Sequence, residues 1–218
     1  MTRTNDDQGD TTAARISTAD LSDTAEASER DSEIGRIARQ FVRGKHGYAS
    51  LSTGVSSALR RMDPERPSRA LVALMPVLDA ARVPIANRDD DLLRRWATIV
   101  HIVAILSGTT GAEVHSTDKR HAAGRRMHEA GYSDNRLSRL LAARGSALTD
   151  QARRLARFLA AKRMTPIDLA PLVNLLLSDG RSDSQAEEAR FRLARDYYRA
   201  ADGESRKQSS QETAATRS

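Results

Sequence analysis

Between Arg136 and Arg163 the chain reads RLSRLLAARGSALTDQARRLARFLAAKR, with eight basic residues (Arg136, Arg139, Arg144, Arg153, Arg154, Arg157, Lys162, Arg163) and one acidic residue, Asp150. Arginines in that number suit one chemistry above others, because each guanidinium is a planar fork of N–H donors that matches phosphate oxygens. Residues 119–163 hold twelve basic and three acidic residues, a net charge of +9, and such a surplus points to a polyanionic partner. A helix that is merely solvated interleaves Glu with Arg at i, i+4, since like-charge neighbours cost about 0.2–0.5 kcal/mol each. Here acids do not balance the arginines. Arginine outnumbers lysine by 31 to 4, which genomic base composition explains as well as phosphate binding does.

Other chemistries find no footing. With no cysteine there is no disulfide, thiolate ligand or cysteine nucleophile. His115, His121 and His128 come nearest to a metal cluster, but no cysteine or HExxH spacing accompanies them. The Asp89-Asp90-Asp91 triplet is read as first-turn acids favoured by the helix macrodipole. Gly44-Lys45 lacks the remainder of a P-loop, GxGxxG is absent, and no Ser/His/Asp constellation is recoverable. No catalytic residue, metal or cofactor is therefore expected, and the chain is not read as an enzyme.

The elements that must position the arginines are helices. No segment alternates with period two, whereas helical patterns follow one another from Ile34 between glycine, proline and capping signals. The spacing predicts helices over Ile34–Arg43, Ser52–Met62, Ser68–Leu78 with Pro76 bending or ending it, and 89–106 with His101 as a satisfied core histidine. Beyond the Gly/Thr/Ser loop 108–119 it predicts Ala122–Ala130, Ser133–Arg144 stopped by Gly145, Ala147–Arg163, Pro166–Leu177 and Ser184–Ala200. The fold class is all-α: two small helical bundles, residues 34–110 and 122–202, joined by a linker at 111–121. Residues 1–33 form an acidic segment with three basic and nine acidic residues, expected to be disordered, and 203–218 a flexible tail. The polar amino terminus has no apolar h-region, and the apolar run from Trp96 to Leu106 is shorter than the ~20 residues that span a bilayer. A cytoplasmic protein with no membrane contact is expected.

On the helix from Ala147, the residues Leu148, Ala152, Leu155 and Leu159 share a narrow stripe that reads as core, with Arg153, Arg154 and Arg157 on the opposite side. Arg136 and Arg139 sit side by side at i, i+3, away from Leu137, Leu140 and Leu141. Phe158, Trp96 and Phe191 are assigned to apolar faces, so base-stacking platforms are not expected and sequence-blind contact to a sugar-phosphate backbone is.

Several short runs carry a resemblance. Thr109-Thr110-Gly111, Gly124-Arg125, GYSDNRLSRLLAARG at 131–145, and Gln151 followed by ARRLARFLA at 152–160 resemble the CasB family, the small subunit of the type I-E CRISPR surveillance complex Cascade. So do Gly54 with Ala58-Leu59-Arg60-Arg61 and the closing Ala194-Arg195-Asp196-Tyr197-Tyr198. The likeness covers about residues 34–200 and departs from relatives at Asp168-Leu169, where Asp-Trp is common, and near Phe191, where a tryptophan is. It implies a non-catalytic, two-bundle helical subunit present in two copies. Such a subunit contacts crRNA and target DNA, above all the displaced non-target strand, and the backbone and large subunits. Its basic residues match Arg60 and Arg61 in the first bundle and Arg125, Arg136, Arg139, Arg153 and Arg154 in the second; Arg157 joins them by periodicity. The rival readings are a helix-turn-helix DNA-binding regulator built from Ala122–Ala130, Gly131 and Ser133–Arg144, and a structural adaptor for acidic protein surfaces.

Overall fold

The computed structural model describes residues 33–42, 50–83, 90–108 and 113–215, with side chains described as far as Arg206. The expected disorder of residues 1–32 and the Thr109-Thr110-Gly111 run lie outside the described residues. Among those described the chain is all-α, with nine α-helices and no strand. In order they are α1 (33–40), α2 (Thr53–Arg61), α3 (Leu71–Ala80), α4 (Asp90–Ser107), α5 (Ala123–Glu129), α6 (Asp134–Ala142), α7 (Gly145–Ala161), α8 (Ala170–Ser178) and α9 (Asp183–Ala215). Single 3-10 turns, Pro67–Ala70 and Lys119–His121, precede α3 and α5.

Helix α4 explains how the rest is held. Every residue from Trp96 to Ser107 is buried, so this helix is apolar all round and needs neighbours on several sides. It has them in α2, α7 and α8. Arg95 ties it to the end of α8, donating from Nη1 to the carbonyls of Leu176 and Asp179 at 2.7 Å each. The buried apolar side chains from α1 through α9 form one contiguous cluster. Residues 113–122 run beside 166–168 through bridges between His115 and Ile167 and between Ala122 and Asp168. Hydrogen bonds from Ile167 N to the Val114 carbonyl and from Asp168 N to the His121 carbonyl hold that pairing.

Several boundaries differ from the sequence reading. Ser52 caps α2, its Oγ accepting from Val55 N at 3.3 Å, whereas Ser133, at the N-cap of α6, makes no side-chain capping bond and Ser68 lies in the 3-10 turn before α3. Pro76 does not end α3, which continues to Ala80. Both Pro76 and Val72, whose carbonyl loses its partner, are exposed, so water satisfies that carbonyl. Gly145 does not lie beyond a helix but opens α7, with φ of 54°. Its amide donates to the buried Asp179 carboxylate at 2.7 Å, which fixes the tight junction between α6 and α7. Pro166–Asp168 is taken up by the pairing with 114–122, so α8 starts only at Ala170. Helix α9 runs past Ala200, where the sequence reading ends it, and through Gly203 to Ala215, so the expected flexible tail from 203 is helical as far as it is described. One glycine costs about 1 kcal/mol in a helix, and its Ala, Glu, Arg, Lys and Gln neighbours are good helix formers.

One glycine sits at a close approach that a side chain would block. Gly124 lets α5 lie directly on α9: a Cβ there would collide with the Leu193 carbonyl oxygen and stand 2.5 Å from Tyr197 N. Tyr197 anchors the same contact, its hydroxyl 2.6 Å from the Tyr132 carbonyl and 2.8 Å from Asp134 Oδ1. Burial first, then the Asp134 carboxylate, pushes its phenol up to about 12, so it remains a protonated donor. Gly35 lies where α1 packs on the 113–122 segment, and a Cβ there would stand 3.9 Å from Cδ2 of His115, an ordinary van der Waals contact.

Candidate nucleic-acid interface

The arginines of α7 radiate from a helix whose core stripe is fully formed. Leu148, Ala152, Leu155 and Leu159 are each at most 1% exposed. At about 100° per residue Arg157 stands opposite that stripe, while Arg153 and Arg154 lie on its two flanks. The flanks differ in what packs beside them, and so do the two arginines. Arg154 leans toward α6 and is exposed. Arg153 lies on the α4 flank with 21% of its side chain exposed, its Nε buried without a hydrogen-bond partner among the described residues and Nη1 3.5 Å from Asp150. A long guanidinium stem laid over a neighbouring helix covers apolar surface as well as carrying charge.

On the α6 flank the arginines converge. Arg136 and Arg139 from α6 and Arg154 from α7 line one cavity of about 310 Å³ with Gln151, Tyr132 and Phe158. None of the lining residues is acidic. The Arg136 guanidinium sits over the Phe158 ring, 5.3 Å from its centroid, and Phe158 meets Tyr132 edge-on at 5.3 Å. Among the described residues Arg139, Arg154 and Arg157 form no ion pair or side-chain hydrogen bond. Phe158 is thus half-exposed on the floor of a basic groove, not a purely core residue, because its ring fills the seam where α6 diverges from α7.

A second basic cleft, of about 580 Å³, lies between the Lys119–His121 turn, the start of α5, and α9. Arg125 belongs here and not with Arg136; its Nε donates to Glu129 at 2.8 Å. Burial would raise the Glu129 carboxyl, but the hydrogen bonds from Arg125 and Arg126 outweigh it and hold the group low. Opposite stand Arg192, Arg195 and Arg199, at i, i+3, i+7 on one face of α9. Arg192 pairs with the buried Asp168 at 2.9 Å, and Arg195 lies 3.5 Å from Asp196 and 5.8 Å over the ring of Phe191. Phe191 is 66% exposed, not on an apolar face: Ala189 and Leu193, two residues to either side, point inward and turn it out. Trp96, by contrast, is 1% exposed, as expected. Sequence reasoning missed the α9 arginines because acids alternate with them, although their i, i+3, i+7 spacing signals a shared face.

The first-bundle arginines part company. Arg61 is exposed in the last turn of α2. Arg60 turns inward, donating from Nε to the Ala104 carbonyl at 3.3 Å and from Nη2 to the Gly108 carbonyl at 2.8 Å, and so caps α4. The expected core histidine His101 is 1% exposed with Nδ1 2.9 Å from the Leu59 carbonyl, but its Nε2 has no hydrogen-bond partner among the described residues, so it is half satisfied there. His115 accepts from Leu169 N at 3.2 Å through Nδ1, a structural use of that ring.

A family model, that of CRISPR-associated protein Cse2, matches residues 55–198, which run from within α2 to Tyr198 and include the α6–α7 groove and all of the second cleft but Arg199 and Ala200. The chain belongs to the Cse2 family. Members of this family, also called CasB, are non-catalytic subunits of Cascade, so the chain is a CRISPR-associated Cascade subunit and not an enzyme. No match is found among curated proteins or among solved structures. The matched region begins after α1 and closes before the last turns of α9, so the acidic amino-terminal segment lies outside it. Among the described residues of this Cse2 chain no helix is long and apolar enough to cross a membrane.

Proposed function

We propose that this Cse2 subunit holds the sugar-phosphate backbone of the displaced non-target DNA strand, and of the crRNA–target region, along the groove between α6 and α7. The observation that carries this reading is the convergence of Arg136, Arg139 and Arg154 on one cavity without an acidic neighbour. Three unbalanced guanidiniums repel each other unless phosphates lie between them, and guanidinium forks suit phosphate oxygens. Gln151 adds a neutral donor, and the Phe158 ring beneath Arg136 offers an apolar surface for a sugar or base face. Arg157 and Arg61 extend the positive surface outside the groove.

The role suits the energetics of Cascade. Opening a DNA duplex against a guide RNA is a nearly balanced exchange, so a few backbone contacts on the displaced strand tip it. Guide pairing supplies the sequence, and the subunit need not read bases. Backbone and large subunits of Cascade and a second copy of this chain are the proposed protein partners. The test is single-stranded DNA binding across a salt series. Replacing Arg136, Arg139 and Arg154 by glutamine should lower the log–log salt slope by about 0.7 per lost phosphate contact, about two in all. An unchanged slope and affinity would remove the groove from the strand path. A strong preference for one duplex sequence would instead favour the helix-turn-helix reading.

A further inference from the structure

The cleft beside α9 is positive, and the chain carries its own anion for it. We propose that the acidic segment before Glu33, through Asp20, Asp23, Glu26 and Glu29, docks in the cleft lined by Lys119, Arg195 and Arg199 and competes there with nucleic-acid phosphates. The competition rests on the nucleic-acid reading above; the docking does not.

Charge, place and reach support it. Five cations line the cleft against Asp168, Glu188 and Asp196, an excess of positive charge in which Arg192 is matched by Asp168 and Arg125 by Glu129. Lys119 and Arg199 form no side-chain hydrogen bond or ion pair among the described residues, and Arg195 has only a 3.5 Å approach to its neighbour Asp196. The segment ADLSDTAEASERD, residues 19–31, places carboxylates at every third position from 20 to 29, with Arg30 as its one basic residue. Arg192, Arg195 and Arg199 recur at three- and four-residue intervals along one face of α9, so several carboxylates of the segment can find partners along that row. The segment also joins the fold at the cleft's rim. Gly35 lies against His115, and Thr117, two residues on, lines the cleft at no more than about 7 Å of chain from His115. The thirteen peptide steps from Asp20 to Glu33 can cover about 20 Å well short of full extension, so the carboxylates are within reach of the cleft. Tethering at that distance gives an effective concentration of about a millimolar, enough to make individually weak ion pairs compete.

The chain has no cysteine, so Ser28→Cys and Ala200→Cys create two unique sites for spin labels on the full-length protein. At low salt the distance between them should be narrowly distributed. It should broaden when Arg195 and Arg199, both exposed, become glutamine, and again when Asp20, Asp23, Glu26 and Glu29 become Asn or Gln. A distribution insensitive to both sets of changes would overturn the docking. In parallel, the charge-neutralised segment variant should bind an oligothymidine about 2- to 10-fold more tightly than the parent at low salt. Equal affinities would overturn the competition. Failure of both proteins to bind the oligonucleotide, with the distance change intact, would overturn the nucleic-acid reading and leave the docking standing.

Discussion

Arg190 and Asp179 form an ion pair 2.7 Å long, with their side chains 7% and 5% exposed, at the point where α7 begins, α8 ends and α9 packs. Asp179 also accepts from Gly145 N, and Arg190 also reaches the Leu141 carbonyl and Glu187, so all three helix ends depend on one carboxylate. Asp179→Ala leaves the buried Arg190 with only the exposed Glu187 carboxylate and the Leu141 carbonyl, and takes the acceptor from Gly145 N, a change that should cost about 1–3 kcal/mol. Urea unfolding should show the loss. A cost under about 1 kcal/mol would mean that water replaces the carboxylate.

Two glycines should answer the same substitution with opposite signs. At Gly124 an added methyl meets the Leu193 carbonyl and Tyr197 amide, which are α9 backbone and cannot turn aside, so Gly124→Ala should destabilise by about 1–3 kcal/mol. At Gly54, in the first turn of α2, the nearest atom to a new Cβ is the Ser52 hydroxyl at 3.9 Å. Gly54→Ala should therefore raise stability by about 0.4–1 kcal/mol. Thermal melts of the two variants moving the same way would contradict the α5–α9 contact.

What the sequence made legible follows from what is local. Apolar spacing placed Leu148, Ala152, Leu155 and Leu159 in the core, because that pattern depends on residues a few positions apart. Which helix occupies each flank of α7 depends on contacts made across the chain. On a helical wheel Arg153 and Arg154 are equivalent; α4 on one side and α6 on the other make the first half-buried and the second a groove residue. Arg60 finds its partner at Gly108, a separation of 48 residues, and no spacing rule reaches that far. Phe191 was misplaced for a related reason: aromatic type suggests burial, but the face it occupies on α9 has no neighbour among the described residues.

Arg60 and Arg61, adjacent in sequence, should separate experimentally. Arg60→Ala removes two charge-assisted bonds to α4 carbonyls from a half-buried side chain, and should cost about 1–3 kcal/mol of stability while leaving the DNA salt slope unchanged. Arg61→Ala should leave stability within about 0.5 kcal/mol. Unfolding and binding curves on both variants make the comparison. If Arg60→Ala lowers the slope by about 0.7 at unaltered stability, Arg60 contacts phosphate and is not a cap.

His101 should make the fold sensitive to mild acid. Its pKa lies below the ordinary 6.5, chiefly because burial disfavours the imidazolium, with the Arg153 and Arg157 guanidiniums adding repulsion; the Leu59 carbonyl and Asp63 pull the other way without prevailing. The unfolded chain therefore binds a proton at His101 more readily than the folded one, so stability rises with pH across this interval. The contribution is complete above pH 6.5 and declines, by at most about 1.4 kcal/mol per pH unit, as the pH falls toward the lower folded value. Protonation would also set a cation in the core beside Arg153. His101→Gln keeps an N–H for the Leu59 carbonyl and cannot titrate. Urea unfolding at pH 7.5 and 5.5 should show a larger loss on acidification in the parent than in the variant. Equal losses in the two proteins would assign the acid sensitivity to other groups and show that His101 is protonated alike in the folded and unfolded chains.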